Sequence, residues 1–212
     1  MQTSKVAAAY DRWAPVYDMV FGPVFRQGRN AAIDVANSVG GRILEVGVGT
    51  GISLPGYDRT ASLYGIDISD KILDKARERV KRFGLGNVEA VEVMDAEALT
   101  FDDASFDVIV AQYVVTAVPN PERALDEFAR VLRPGGEIVI TTRLGAGTGV
   151  RGTIEKALMP ITSRLGFRTE FPWERYENWA RRNGSVALIE RRALPPLGHF
   201  ALVRYRKLGD VA

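Results

Sequence analysis

The stretch Glu45-Val46-Gly47-Val48-Gly49-Thr50-Gly51, with Asp67 twenty residues after Gly47, constrains this 212-residue chain more than any other feature. Arg42-Ile43-Leu44-Glu45-Val46 is a short apolar run of the kind that forms a buried strand. The glycines after it let the backbone turn sharply and let a ligand approach the main chain without a Cβ in the way. Asp67 closes a second run, Ser62-Leu63-Tyr64-Gly65-Ile66-Asp67, where a carboxylate can accept both hydroxyls of a ribose. The pattern is that of a nucleotide-cofactor site.

Spacing selects among the nucleotides. A dinucleotide loop runs G-x-G-x-x-G, its third glycine on the helix whose N-terminus holds a pyrophosphate. Here the run is G-x-G-x-G, with Glu45 on the strand before it. That carboxylate would repel a pyrophosphate and suits a cation. S-adenosylmethionine carries a sulfonium and an ammonium and no phosphate. It is therefore the expected cofactor, with S-adenosylhomocysteine as product and no metal. A glycine turn without a ligand is the plain structural alternative.

Length allows one good core, so a single domain over residues 1–212 is expected. No cysteine is present, which excludes disulfides and thiolate metal sites, and His199 is the sole histidine. No apolar run approaches a membrane span and the first ten residues lack the core of a signal peptide, so a cytoplasmic protein is expected. The net charge of +2 hides an asymmetry: residues 36–141 sum to −6 and residues 142–212 to +7. A basic face suits nucleic acid, an anionic membrane or a phosphorylated substrate. A merely solvated face is the alternative.

Residues 42–142 alternate strand and helix. Ser69 is placed to cap a helix carrying Ile72, Leu73, Ala76, Val80 and Phe83 on one stripe, and Gly84 ends it. Val88–Val93 and Phe106–Ala111 read as strands three and four. Pro121 opens a helix that Pro134-Gly135-Gly136 stops, and Glu137–Thr142 is a fifth strand. Strands separated by helices imply a parallel, doubly wound α/β sheet with ligands at the strands' carboxyl ends. Ser185–Arg191 and Phe200–Tyr205 are two more strands, joined by a link too short for a helical crossover and therefore antiparallel.

With these features in place, residues 36–212 resemble the class I S-adenosylmethionine-dependent methyltransferases. The resemblance rests on Glu45–Gly51, the strand-end Asp67, Asp95-Ala96 and Val131-Leu132-Arg133-Pro134-Gly135-Gly136. It implies a seven-stranded Rossmann-like sheet with a reversed last strand and an N-terminal helical segment over the cofactor cleft. It also implies that Gly47, Gly49 and Gly51 line the methionine moiety above Glu45. Asp67 would hold the ribose, Ile68 would pack on the adenine, and Asp95 with Ala96 would meet its amino group. Gln112, just after the fourth strand, joins this cofactor-binding set. Each acidic residue has a helix-cap or solvated strand-end alternative. The expected division is residues 1–35 as lid and membrane-contacting segment, 36–142 as cofactor half and 143–212 as substrate half.

Tyr10-Asp11-Arg12-Trp13-Ala14-Pro15-Val16-Tyr17-Asp18 resembles the opening segment of ubiquinone and menaquinone C-methyltransferases. It is more similar still to that of the small soluble bacterial phosphatidylethanolamine N-methyltransferases. Residues 16–35 and 150–167 mix aliphatic and aromatic groups with arginine and lysine, which suits the headgroup layer of an anionic membrane. The same apolar faces can instead cover the cleft.

The expected reaction is stepwise N-methylation of phosphatidylethanolamine, by a monomer peripherally attached to the inner membrane face, with no nucleic-acid partner. Tyr17, Tyr113 and His199 are the candidate catalytic residues. Tyr10, Trp13 and Tyr176 are candidates to face the methylated nitrogen by cation–π attraction. Arg143, Lys156 and Arg181 are candidates for the lipid phosphate. Each aromatic has a core-packing alternative. The rival readings are a quinone-ring or small-molecule methyltransferase and a non-catalytic cofactor-binding module.

Overall fold

The computed structural model describes residues 25–143, 172–195 and 200–209. The first element is helix α1, residues 25–39. Strand β1 (Arg42–Val46), a 3-10 turn at Leu54–Gly56 and strand β2 (Ser62–Asp67) follow. Next come helix α2 (Asp70–Phe83) and strands β3 (Val88–Val93) and β4 (Phe106–Gln112). Helix α3 (Pro121–Val131) runs directly into strand β5 (Leu132–Arg143). Helix α4 (Trp173–Asn183) and strands β6 (Val186–Leu194) and β7 (Phe200–Lys207) complete the described elements.

The strands form one seven-stranded sheet in the order β3-β2-β1-β4-β5-β7-β6. β1 to β5 pair in parallel, and β7 is antiparallel to both β5 and β6. The doubly wound α/β sheet with a reversed last strand is as the sequence predicts. The order reverses between β1 and β4, and a ligand crevice opens at the carboxyl ends of strands flanking such a switch point.

Strand periodicity divides the core into two layers. Leu44, Val46, Ile109, Ala111, Ile138 and Ile140 face one side, where Leu125 and Phe128 of α3 and Tyr176 and Trp179 of α4 cover them. Ile43, Val108, Val110 and Val139 face the other, under Ala32, Ile33 and Ala36 of α1 and Leu73 and Ala76 of α2. Ser69 caps α2 by accepting a hydrogen bond from the Ile72 amide, and Gly84 ends it in the left-handed conformation, as expected from those residue types.

Strands β6 and β7 run two or three residues past their expected ends, and the start of β5 differs more. The sequence reads Pro134-Gly135-Gly136 as a break before a strand at 137, yet β5 begins at Leu132. Leu132 pairs with Phe106, and the register shifts before Val108 pairs with Glu137. Gly135 absorbs that irregularity at φ +81°, a value that favours glycine. Gly136 lets the strand pass close to the Asp107 carbonyl, which an added Cβ would meet at 2.6 Å.

Candidate active site

The crevice at the switch point is an open cleft. Its walls come from the β1 loop, the ends of β2 and β4, the turn after β3 and the first turns of α1. Glu45, Gly47, Gly49, Asp67, Ile68, Asp95, Ala96 and Gln112 all line it, as does Tyr113. Gly51 is set back from the wall, contrary to expectation. An added Cβ there would lie 2.8 Å from Leu54 and 3.0 Å from Ala76, so Gly51 serves the packing of the loop on α2.

The loop is fixed by its own main chain. The amides of Gly47 and Val48 both donate to the Ile66 carbonyl, at 2.8 and 2.9 Å. Gly47 has φ +70°, and a Cβ on it would lie 2.2 Å from Val114. No other residue type meets both demands. Asp67 braces the loop from beneath: its Oδ2 accepts from the Gly49 amide at 3.0 Å and its Oδ1 from the Ser69 amide at 3.1 Å. Asp95 likewise accepts from the Glu97 amide at 2.9 Å, closing the turn after β3.

Glu45 lies under the loop at 2% exposure. Ser53 Oγ donates to its two oxygens, at 2.6 and 2.8 Å, and Gln112 Nε2 donates to one at 3.1 Å. Burial pushes its carboxyl up to about 7, opposed by the Ser53 hydrogen bond, by the nearby Tyr57 hydroxyl and by the charge of Arg29. Such a group is poised between neutral and ionised forms. A cation beside it would hold it ionised.

Tyr113 follows β4 at φ +60°, an uncommon conformation for a side chain of that size. Its ring sits 4.2 Å from that of Phe25 and 5.5 Å from that of Phe200. Its hydroxyl fits a notch in α1, where a Cβ on Gly28 would lie 2.1 Å from it. The ring, rather than the hydroxyl, therefore forms the surface next to the cleft.

Several expected contributors stand elsewhere. Tyr176 is a correction: it is wholly buried in the core under α4. Its ring stacks on Trp173, and its hydroxyl bonds Thr142 Oγ1 at 3.2 Å. Burial raises its pKa well above that of a free phenol. It packs between helix and sheet because its face of α4 carries the apolar stripe. Arg181 is exposed in the last turn of α4, where it bonds Asn178. Arg143 ends β5 opposite Phe200. Neither arginine lines the cleft. Tyr10, Trp13, Tyr17, Lys156 and His199 lie outside the described residues.

Further cleft contributors include Phe25 and Arg29, which the sequence places only in the N-terminal segment that contacts membrane or covers the cleft, and Ser53 and Val114, to which it gives no role. Phe25 and Arg29 are four residues apart and share one helical face, a signal present in the sequence. Nothing local marks Ser53 as the partner of Glu45.

An acidic, glycine-walled cleft at the switch point of this reversed-strand sheet defines a methyltransferase. The family described as a methyltransferase domain matches residues 44–140, the span holding the loop, Asp67 and Asp95. The chain belongs to the class I S-adenosylmethionine-dependent methyltransferases. It is 40% identical over 207 residues to a phosphatidylethanolamine N-methyltransferase of Cereibacter sphaeroides, 98% of this chain and 100% of that one. It is 36% identical over 137 residues to a demethylmenaquinone methyltransferase of Clavibacter sepedonicus, 64% of this chain and 54% of that one. Its fold is also that of a Haemonchus contortus phosphoethanolamine N-methyltransferase solved with phosphomonomethylethanolamine and S-adenosylhomocysteine. That match has a TM-score of 0.72 at 18% identity and covers 96% of this chain and 61% of that one.

Proposed function

We propose that this enzyme methylates the amine of phosphatidylethanolamine stepwise, through mono- and dimethyl forms towards phosphatidylcholine, as a peripheral protein at an anionic membrane surface. The observation that carries this reading is the extent of the likeness. The Cereibacter enzyme matches 98% of the chain, well beyond the cofactor span of residues 44–140. The Clavibacter enzyme matches 64%. A shared cofactor explains likeness in the cofactor half; likeness across the remainder favours a shared acceptor. No helix among the described residues is long and apolar enough to cross a membrane, so contact with lipid is assigned to the surface.

The cleft fits S-adenosylmethionine, since a buried carboxyl faces the loop where a cationic end would lie. In this reading Gly47 and Gly49 receive the methionine end beside Glu45, and Gln112 orients that carboxyl. Asp67 accepts the ribose hydroxyls while still bracing the loop. Ile68, Asp95 and Ala96 border the adenine. The cofactor supplies a methyl group on an excellent leaving group, so alignment by the chain is the main catalytic contribution, potentially several kcal/mol. The Tyr113 ring flanks the accepting nitrogen, where cation–π attraction worth about 0.5–2 kcal/mol persists as N–H donors are replaced by methyls. Tyr113→Phe should then retain most activity, and Tyr113→Ala should lose much of it in kcat. Equal loss in both would point to the hydroxyl instead.

The direct test supplies methyl-labelled S-adenosylmethionine with liposomes of phosphatidylethanolamine, with and without phosphatidylglycerol. Label in mono-, di- or trimethylated lipid is the expected result. No lipid label from a protein that binds the cofactor would overturn the acceptor assignment. The likeness to the Clavibacter enzyme makes a demethylated quinone the next acceptor to try.

A further inference from the structure

A second groove runs along α1, on another face of the helix from the one that meets the cleft. Gln27, Asn30, Asp34 and Ser38 give it one wall, at spacings of three and four that share a helical face. Arg192 and Leu194, near the end of β6, give it the other. β7 is antiparallel to both β5 and β6, so β6 ends where the parallel strands end and the cleft opens. The two sites share a wall. A Cβ on Gly28, in the notch that holds the Tyr113 hydroxyl, would stand 3.5 Å from Leu194 Cδ1.

Charge in the groove is balanced but separated. Among the described residues, Asp34 on the helix and Arg192 on the strand are its two charged side chains. Arg192 donates from Nε to Glu190 at 2.8 Å, which holds its stem and leaves the two terminal nitrogens without a described acceptor. Glu190 is itself shared with Arg204, so it offsets only part of the Arg192 charge. The side chains of Gln27, Asn30 and Asp34 make no hydrogen bond to a described residue.

A ligand with one anion and one cation fits this pattern. A bare anion would meet Asp34 and a bare cation would meet Arg192. A guanidinium takes phosphate oxygens through paired N–H donors, and a carboxylate attracts an ammonium. The two amides can donate to ester oxygens. Ala31 and Val35, facing Leu194, add an apolar wall, which suits a glycerol ester and its chains better than it suits a free amino acid.

We propose that this groove binds the zwitterionic headgroup of a phospholipid outside the methyl-transfer cleft, with Arg192 on the phosphate and Asp34 on the ammonium. A lipid held there moors the mouth of the cleft at the bilayer while a different molecule is methylated. The inference rests on the membrane-surface reading above and is independent of which lipid accepts the methyl group.

The test uses monomeric dihexanoylphosphatidylcholine, whose nitrogen has no hydrogen left to replace. It is titrated into the full chain saturated with S-adenosylhomocysteine and followed by amide resonances. Saturable shifts are expected at residues 27–38 and 192–195. Arg192→Gln and Asp34→Asn should each raise Kd about tenfold, the lower range for a hydrogen bond to a charged group. Dihexanoylphosphatidylglycerol, which lacks the cation, should bind more weakly, and Asp34→Asn should narrow that gap. Unchanged thermal unfolding would show that the variants fold. Shifts confined to cleft residues such as Gln112 and Val114, or a Kd that neither variant moves, would overturn the site. Equal affinity for phosphatidylglycerol would overturn the zwitterion, and equal affinity for glycerophosphocholine, which has no acyl chains, would replace the lipid with a soluble phosphodiester. Groove shifts in a protein that labels no liposome lipid would sustain the site and refute only the acceptor assignment.

Discussion

Glu45 shows how one residue couples folding, protonation and binding. Its carboxyl is raised from the ordinary glutamate value, 4.5, to about 7, chiefly by burial. Between those values the folded chain keeps a proton that the unfolded chain has released. Stability from this group is therefore greatest below about pH 4.5 and falls as pH rises to 7, by about 3 kcal/mol in all. Glu45→Gln should flatten that part of the profile in urea unfolding at pH 5, 6, 7 and 8; an unaltered slope would refute the assignment. Binding has the opposite sign. A cationic ligand favours the carboxylate, so affinity for S-adenosylmethionine should rise from pH 6 to pH 8, with proton uptake by buffer detectable in calorimetry. The residue type at 45 was legible as an anion for a cationic ligand. Its protonation was not, because Ser53, Tyr57 and Gln112 reach it only through the fold.

At the scale of the element, α1 joins the methyl-transfer cleft through one glycine. In a helix interior Gly→Ala is normally favourable by about 1 kcal/mol. At Gly28 the new Cβ would lie 2.1 Å from the Tyr113 hydroxyl and 3.2 Å from Cζ, so overpacking of about 1–3 kcal/mol should win. Gly28→Ala should destabilise the protein and weaken the cofactor together. Adding Tyr113→Phe should recover most of the loss, since the hydroxyl is the atom in conflict. Additive losses in that double variant would mean that α1 meets the cleft some other way. The elements themselves were readable: Ser69 and Gly84 announce the ends of α2, and apolar alternation announces β4. The start of β5 was not, because Leu132 becomes strand only by pairing with Phe106, 26 residues away.

For the whole molecule, part of the charge asymmetry along the chain is answered internally, by ion pairs of Arg175, Arg182, Arg204 and Arg206. Arg175 grips Glu122, and Arg182 pairs with Asp126. Glu137, its side chain 3% exposed, takes Arg204 at 2.7 Å and Arg206 at 2.8 Å. Each pair joins the acidic middle of the sequence to its basic last third. Those on Glu137 tie β7 into the sheet beside β5. Exposed pairs contribute little, but removing one member of a buried pair leaves its partner stranded. Glu137→Ala should therefore cost about 3 kcal/mol, read from the urea midpoint and from faster amide exchange along β7. A loss below 1 kcal/mol would show that the arginines find water instead.

Local chemistry in the sequence was enough to determine the glycine loop, its acidic neighbours, the alternation of strand and helix and, through them, a methyl-donor cleft. Those features depend on backbone freedom, periodicity and charge at short range, which each stretch of chain carries by itself. Only the tertiary structure decided that Arg29 reaches the cleft, that Tyr176 is core, that the Tyr113 hydroxyl belongs to a notch in α1, and that Arg175, Arg182, Arg204 and Arg206 answer acids of the middle. Those outcomes depend on contacts between segments far apart in sequence, where packing rather than residue type selects the partner.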